Sequence, residues 1–291
     1  MKRSLLLLLT IVCHSLYAQT VIPIQIIPGG HILVKASING VEGNFVFDTG
    51  GGLHVVTKKF ADKLRNFPKQ DGGFTGFRAT GERIDADLYT ADLLTLDGFT
   101  VKSPTVAVID ANFGPIDGLI SLMSFQQTPF TIDYEQKRLI IETDKSLAAR
   151  KKAAKAIIPL QLERNRDKSL DIFAYFTLEN KLTLQFLLDS GAGNNVFRFN
   201  AKNIPALGID VNDTTKVKRI AHKSEIDTSF KSSIYHTKVG SLAAKAAPMV
   251  KAEGINASFV EGLIYDGIVS INWLGKLLTI DLAKSEMLIV Y

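Results

Sequence analysis

Cysteine is almost missing from this chain: among 291 residues there is one, Cys13. It lies at the end of an N-terminal segment that begins with Lys2 and Arg3, runs apolar from Leu5 to Val12 and reaches a small residue at Ala18. That order is the pattern of a secretory signal peptide, so residues 1–18 are expected to be removed on export. The apolar run is far shorter than the roughly 20 residues a membrane-crossing helix needs, so no transmembrane segment is expected in the mature chain. Lipid attachment at Cys13 is the competing reading, and Val12 counts against it because a small residue normally precedes a lipidated cysteine. Without Cys13 the mature protein has no thiol, and export without disulfides leaves a hydrophobic core as the source of stability.

Charge of one sign is also scarce. Without Lys2 and Arg3 the basic count is 32 against 29 acidic residues, a formal charge of +3, and the one basic cluster, Arg150, Lys151, Lys152 and Lys155, reads as a solvated linker or short helix. Nucleic-acid binding, which calls for a concentrated basic stripe, is not indicated. The mature histidines, His31, His54, His222 and His236, are not at zinc-site spacing and have no cysteine to join them. They read as structural or surface residues, His54 drawing attention because it is near Asp48. A Gly-x-Ser-x-Gly elbow and a phosphate-binding glycine loop are both missing. No metal or cofactor is expected.

What the sequence does contain is a repeat. The segment ILVKASINGVEGNFVFDTGGGLHVV, Ile32 to Val56, lies over FAYFTLENKLTLQFLLDSGAGNNVF, Phe173 to Phe197, at an offset of 141 residues without a gap. Asn39, Phe45, Asp48, Gly50, Gly52 and Val55 match Asn180, Phe186, Asp189, Gly191, Gly193 and Val196. Each copy runs apolar to a turn, Asn39-Gly40 or Asn180-Lys181, and a second run ends on the aspartate. Asn-Gly between two such runs is a strong hairpin signal because both residues tolerate positive φ. Downstream, Asp117-Gly118-Leu119-Ile120-Ser121 answers Asp266-Gly267-Ile268-Val269-Ser270, and closing strand pairs begin at Thr131 and Thr279. The apolar runs are short and broken by Gly, Pro, Asn and Asp, so the class is mainly β with a few short helices. The expected organisation is a leader at 1–18, a first lobe at 19–143, a helix or flexible linker at 144–156 and a second lobe at 157–291.

A carboxylate that ends a buried strand is costly unless it is hydrogen-bonded. The Asp48-Thr49-Gly50 and Asp189-Ser190-Gly191 turns can supply that support: Gly50 and Gly191 allow close approach, and Thr49 and Ser190 each offer a donor and an acceptor to tie one loop to its twin. Two carboxyls brought together this way cannot both ionise cheaply and should share a proton, one working as base and the other as acid.

These paired motifs, with the glycine segments downstream, resemble the signatures of pepsin-like and retropepsin-like aspartic peptidases, and the likeness runs through nearly the whole mature chain. Asp-Ser-Gly-Ala at Asp189 to Ala192 is similar to the retropepsin form; Gly51-Gly52 departs from the alanine or serine more usual in the first motif. The resemblance implies two homologous β-barrel lobes related by a pseudo-two-fold axis, with Asp48 and Asp189 as the catalytic dyad. It further implies that Gly118-Leu119-Ile120 and Gly267-Ile268-Val269 pack behind the loops. A β-hairpin flap is implied too, for which Gly72 to Glu82 fits by position, with Phe74 and Phe77 as substrate contacts; the second lobe's equivalent falls within Lys218 to Ser233.

The expected function is an aspartic endopeptidase acting on polypeptides, periplasmic or extracellular, and monomeric because one chain carries both loops. A peptide-binding module that holds the same cleft without cutting is the alternative. A glycosidase also needs two carboxyls, but the hydroxyl and glycine after both aspartates argue against it.

Overall fold

The computed structural model describes residues 19–224 and 229–291. The expected leader, 1–18, lies outside the described residues, as do positions 225–228 of the second-half hairpin region. Among the described residues no helix is long and apolar enough to cross a membrane. The protein is mainly β, built around two sheets.

Each half starts from the hairpin that the repeat encodes. Ile32–Ile38 alternates buried and half-exposed positions and pairs antiparallel with Val41–Asp48, joined by Asn39 and Gly40 at φ 49° and 80°. In the second half Ser169–Leu178 pairs with Leu182–Asp189, but the connection is three residues, with Glu179 and Asn180 in the left-handed region and Lys181 following. The extra residue corrects the gapless alignment. Leu33 faces Val46 and Phe173 faces Leu187, so the offset is 140 before the turn and 141 after it.

Both aspartate-bearing strands are then braced the same way. Gly118–Ser121 runs parallel to Val41–Asp48, setting Ser121 beside Asp48, and antiparallel to His54–Thr57. Gly267–Ser270 runs parallel to Leu182–Asp189, setting Ser270 beside Asp189, and antiparallel to Phe197–Asn200. Phe45, Phe47, Phe186 and Phe199 are fully buried behind these strands. Phe47 meets Phe125 and Phe130 edge-on, and Phe186 packs on Phe176 and Phe199, so each loop projects from a rigid aromatic floor.

The halves are joined by more than the chain. Ala156–Pro159, Glu286–Val290 and Leu277–Asp281 continue antiparallel into Phe130–Asp133, Arg138–Ile141 and Val21–Ile26. Thr131 and Thr279 face each other at the crossing, their hydroxyls 2.7 Å apart. Glu142, buried below, accepts from Thr131 Oγ1 at 2.5 Å and from Arg150 Nε at 2.9 Å. Between the halves, Asp144–Ala153 is a helix, capped by Thr143 and Ser146, each of whose side chains bonds the other's backbone.

Candidate active site

The two Asp-hydroxyl-Gly loops meet through four hydrogen bonds that repeat in reverse. Thr49 N–H donates to Ser190 Oγ at 3.0 Å, and Ser190 N–H donates to Thr49 Oγ1 at 2.9 Å. Thr49 Oγ1 then donates to Leu188 O at 2.7 Å, and Ser190 Oγ to Phe47 O at 2.9 Å. Both hydroxyl residues are buried, so losing the Thr49 side chain would strip the bonds from Ser190 N–H and Leu188 O, and losing the Ser190 side chain those from Thr49 N–H and Phe47 O.

The glycines explain how close the carboxyls come. A Cβ on Gly191 would lie 2.4 Å from Asp48 Cγ, and one on Gly50 would lie 2.7 Å from Asp189 Cγ. Each aspartate therefore lies in the space that its partner loop's glycine leaves free. The side chains are within hydrogen-bonding reach of each other.

Burial, then the charge and hydrogen bond of Asp189, push Asp48 well above the ordinary carboxylate range; the N–H of Gly50, 2.9 Å from Asp48 Oδ1, and the neighbouring His31 offset little of this. Burial raises Asp189 too, but the hydrogen bond from Asp48, the N–H groups of Gly191 and Ala192 and the charge of Arg198 pull it back. Burial thus holds both carboxyls above the ordinary range, so the pair keeps a shared proton to higher pH than a lone carboxylate would.

His54, close to Asp48 in sequence, is turned away from the cleft into the core. Its Nδ1 accepts from Ser121 N–H at 3.1 Å and its Nε2 faces Ser124 Oγ at 3.4 Å. Burial pushes its pKa down to about 4, so it stays neutral and acts as a strut under the loop.

The expected flap segment is a hairpin. Lys69–Phe77 and Arg83–Thr90 pair antiparallel, and the turn between them closes with Arg78 N–H on Glu82 O. Phe74 packs beside Leu53, Leu88 and Ala107, while Phe77 is 46% exposed. Sequence reasoning missed the residues that reach the second half. Ala79 packs against Phe173, Leu187, Val260, Leu263 and Ile268, and a Cβ on Gly81, at φ +89°, would fall 2.4 Å from Gly262 O. Glu82, 1% exposed, accepts from Thr80 Oγ1 at 2.5 Å and sits 3.3 Å from Arg78 and 3.8 Å from His222. Burial works to raise Glu82, but the hydroxyls of Ser224 and Thr80 and the Arg78 charge outweigh it and hold the carboxyl below its ordinary value.

Two carboxyls in contact, pinned by backbone and hydroxyl bonds, can share a proton and hold a water between them. Residues 34–123 match the aspartyl protease family model. The match takes in the first loop, the hairpin at 69–90 and Gly118–Ser121, and it supports a protease-type function. Comparison with curated proteins gave no match. Among solved structures, the crystal structure of edgp is similar over 92% of this chain and 94% of its own, with a TM-score of 0.50 at 9% identity. At that identity the likeness speaks for the acid-protease-like fold alone.

Proposed function

We propose that the chain is an exported aspartic endopeptidase that hydrolyses peptide bonds with a water held between Asp48 and Asp189. The observation that carries the reading is the reciprocal Thr49–Ser190 network, which holds two buried carboxyls face to face. In this mechanism Asp189 takes a proton from the water as its oxygen bonds to the peptide carbonyl carbon. Asp48 gives its proton to the carbonyl oxygen, forming a neutral diol. Collapse breaks the C–N bond: the nitrogen takes the proton from Asp189, and a diol hydroxyl returns one to Asp48. The dyad ends as it began.

Contact between the carboxyls also weighs against glycoside hydrolysis, whose carboxyl pairs stand about 5 Å or more apart to admit a sugar carbon or a water. One chain supplies both loops, which favours a monomer. The segment at 1–18 favours export, to the periplasm or beyond.

The test is to incubate the mature protein with a diverse peptide mixture from about pH 3 to pH 8 and read the products by mass spectrometry. Cleavage is expected on the acidic side, where the pair holds one proton, and is expected to fade once both carboxyls ionise. A folded protein that binds peptides across this range yet never cuts them is a binding module instead.

A further inference from the structure

The two catalytic loops are flanked by residues of different chemistry at equivalent points. With the extra residue in the Glu179–Lys181 connection, His31 corresponds to Asp171. Each reaches from its own half to the other half's loop: His31 lies against Gly193, and Asp171 lies against Gly52, four residues past Asp48. His31 is engaged, with Nδ1 2.8 Å from Gly191 O; a carbonyl can only accept, so Nδ1 carries the hydrogen.

Asp171 is not engaged. It is half-buried, and among the described residues its carboxyl has neither a hydrogen bond nor an ion pair. It stands directly across the ladder from Glu163, a like-charge pairing that costs stability in a sheet. The nearby cations are directed elsewhere, Lys168 to Gln70 at 2.7 Å and Arg164 to Gln126 at 2.5 Å. In the same cleft Asp189 Oδ1, in a residue only 9% exposed, makes no well-aligned hydrogen bond among the described residues. At the Gly52 end of the cleft a carboxyl thus stands without a protein partner, and a cation is the chemistry that would complement it.

We propose that Asp171, assisted by Glu163, is a specificity-determining residue that receives a lysine or arginine side chain of the bound peptide. The preference falls on one side of the cut, because the equivalent place at the other end holds His31. This inference rests on the proposed peptidase reading for its substrate and on the cleft alone for its chemistry.

The experiment uses peptide pairs that differ only by lysine or norleucine at one position, scanned over the residues on each side of an identified cut. For the parent assayed near pH 7, where Asp171 ionises, kcat/KM is expected to favour lysine by about 10- to 100-fold at one position on one side, the range of a hydrogen bond between charged groups. Asp171→Asn is expected to bring the lysine-to-norleucine ratio near one, and Asp171→Glu to keep most of it. Binding of the same peptides to Asp48→Asn is measured in parallel by fluorescence polarisation, and again in the Asp48→Asn, Asp171→Asn double variant. Lysine preference in binding that vanishes with Asp171, in a protein that never cuts, upholds the inference and sinks the peptidase reading. Cutting with no lysine preference, or with one that Asp171→Asn leaves intact, sinks the inference alone.

Discussion

A single methyl group at Gly118 is expected to cost the protein at least about 3 kcal/mol of folding stability, at the upper end of what overpacking does. The added Cβ would lie 2.0 Å from Val55 O and 2.9 Å from Val56 Cα. Both belong to the antiparallel neighbour of Gly118–Ser121, so backbone would have to yield rather than a flexible side chain. Gly118 also sits beside Phe45 on the parallel side, and a shift either way would disturb the strand that delivers Asp48. Gly267, the equivalent residue, is crowded at 2.6 Å by the Phe186 ring and at 2.7 Å by Arg198 O. The backbone clash is milder, 2.7 Å against 2.0 Å, so Gly267→Ala is expected to cost less than Gly118→Ala. Urea unfolding of both variants checks this; a Gly118→Ala protein within about 1 kcal/mol of the parent would mean that the strand packing is wrong.

Replacing Asp171 by asparagine is expected to stabilise the protein, and only above acidic pH. Burial first, then the charges of Glu163 and Asp48, raise the Asp171 pKa to about 7, against about 3.9 in an unfolded chain. Below about pH 4 the residue is protonated folded or unfolded and costs nothing. As pH rises from there to about 7, the unfolded chain ionises while the folded one stays protonated. The folded state then binds more protons, and stability falls. By pH 8 the penalty is complete, on the order of 3–4 kcal/mol. The asparagine variant escapes it, so the two proteins should match near pH 4 and diverge steadily toward pH 8. His54 works the opposite way: its pKa is lowered to about 4, so it withdraws stability as pH falls below about 6.5. It is present in both proteins and cancels in the difference. Denaturant melts at pH 4 and pH 8 decide it; a difference that does not change with pH would mean that Asp171 is solvated rather than held in the cleft.

The features of the site that follow local rules were legible in the sequence. Phe45-Val46-Phe47 and Phe186-Leu187-Leu188 announce buried strands that end on a carboxylate, and hydroxyl and glycine in both turns announce how the carboxylates are supported. The Gly118 and Gly267 segments were visible because crowding by a neighbouring backbone or ring leaves room for glycine and little else. What depended on one residue of register was hidden. Asn180 matches Asn39 in type, so a gapless alignment passed through the turn and set Asp171 opposite Gly30, where the structure sets it opposite His31. The stretch from Asp144 read equally as helix or connector. Thr143 and Ser146 decide for helix through a reciprocal cap in which serine stands where glutamate is the stronger signal. The sheet that joins the halves and the seating of Ala79 and Gly81 on the second half are set by contacts between residues far apart in the chain, and local pattern carries no trace of them.

The proposed chemistry and the burial of the pair have one origin, and a single comparison reaches both. Asp48→Asn and Asp189→Asn are purified with the parent, and each protein is measured for peptide cleavage and for unfolding free energy at neutral pH. Each variant is expected to lose at least about a thousandfold in cleavage rate, because the remaining carboxyl lacks its acid or base partner. Each is also expected to unfold no more easily than the parent, because one buried, mutually repelling carboxyl is gone. Either variant cutting within about tenfold of the parent would contradict the dyad.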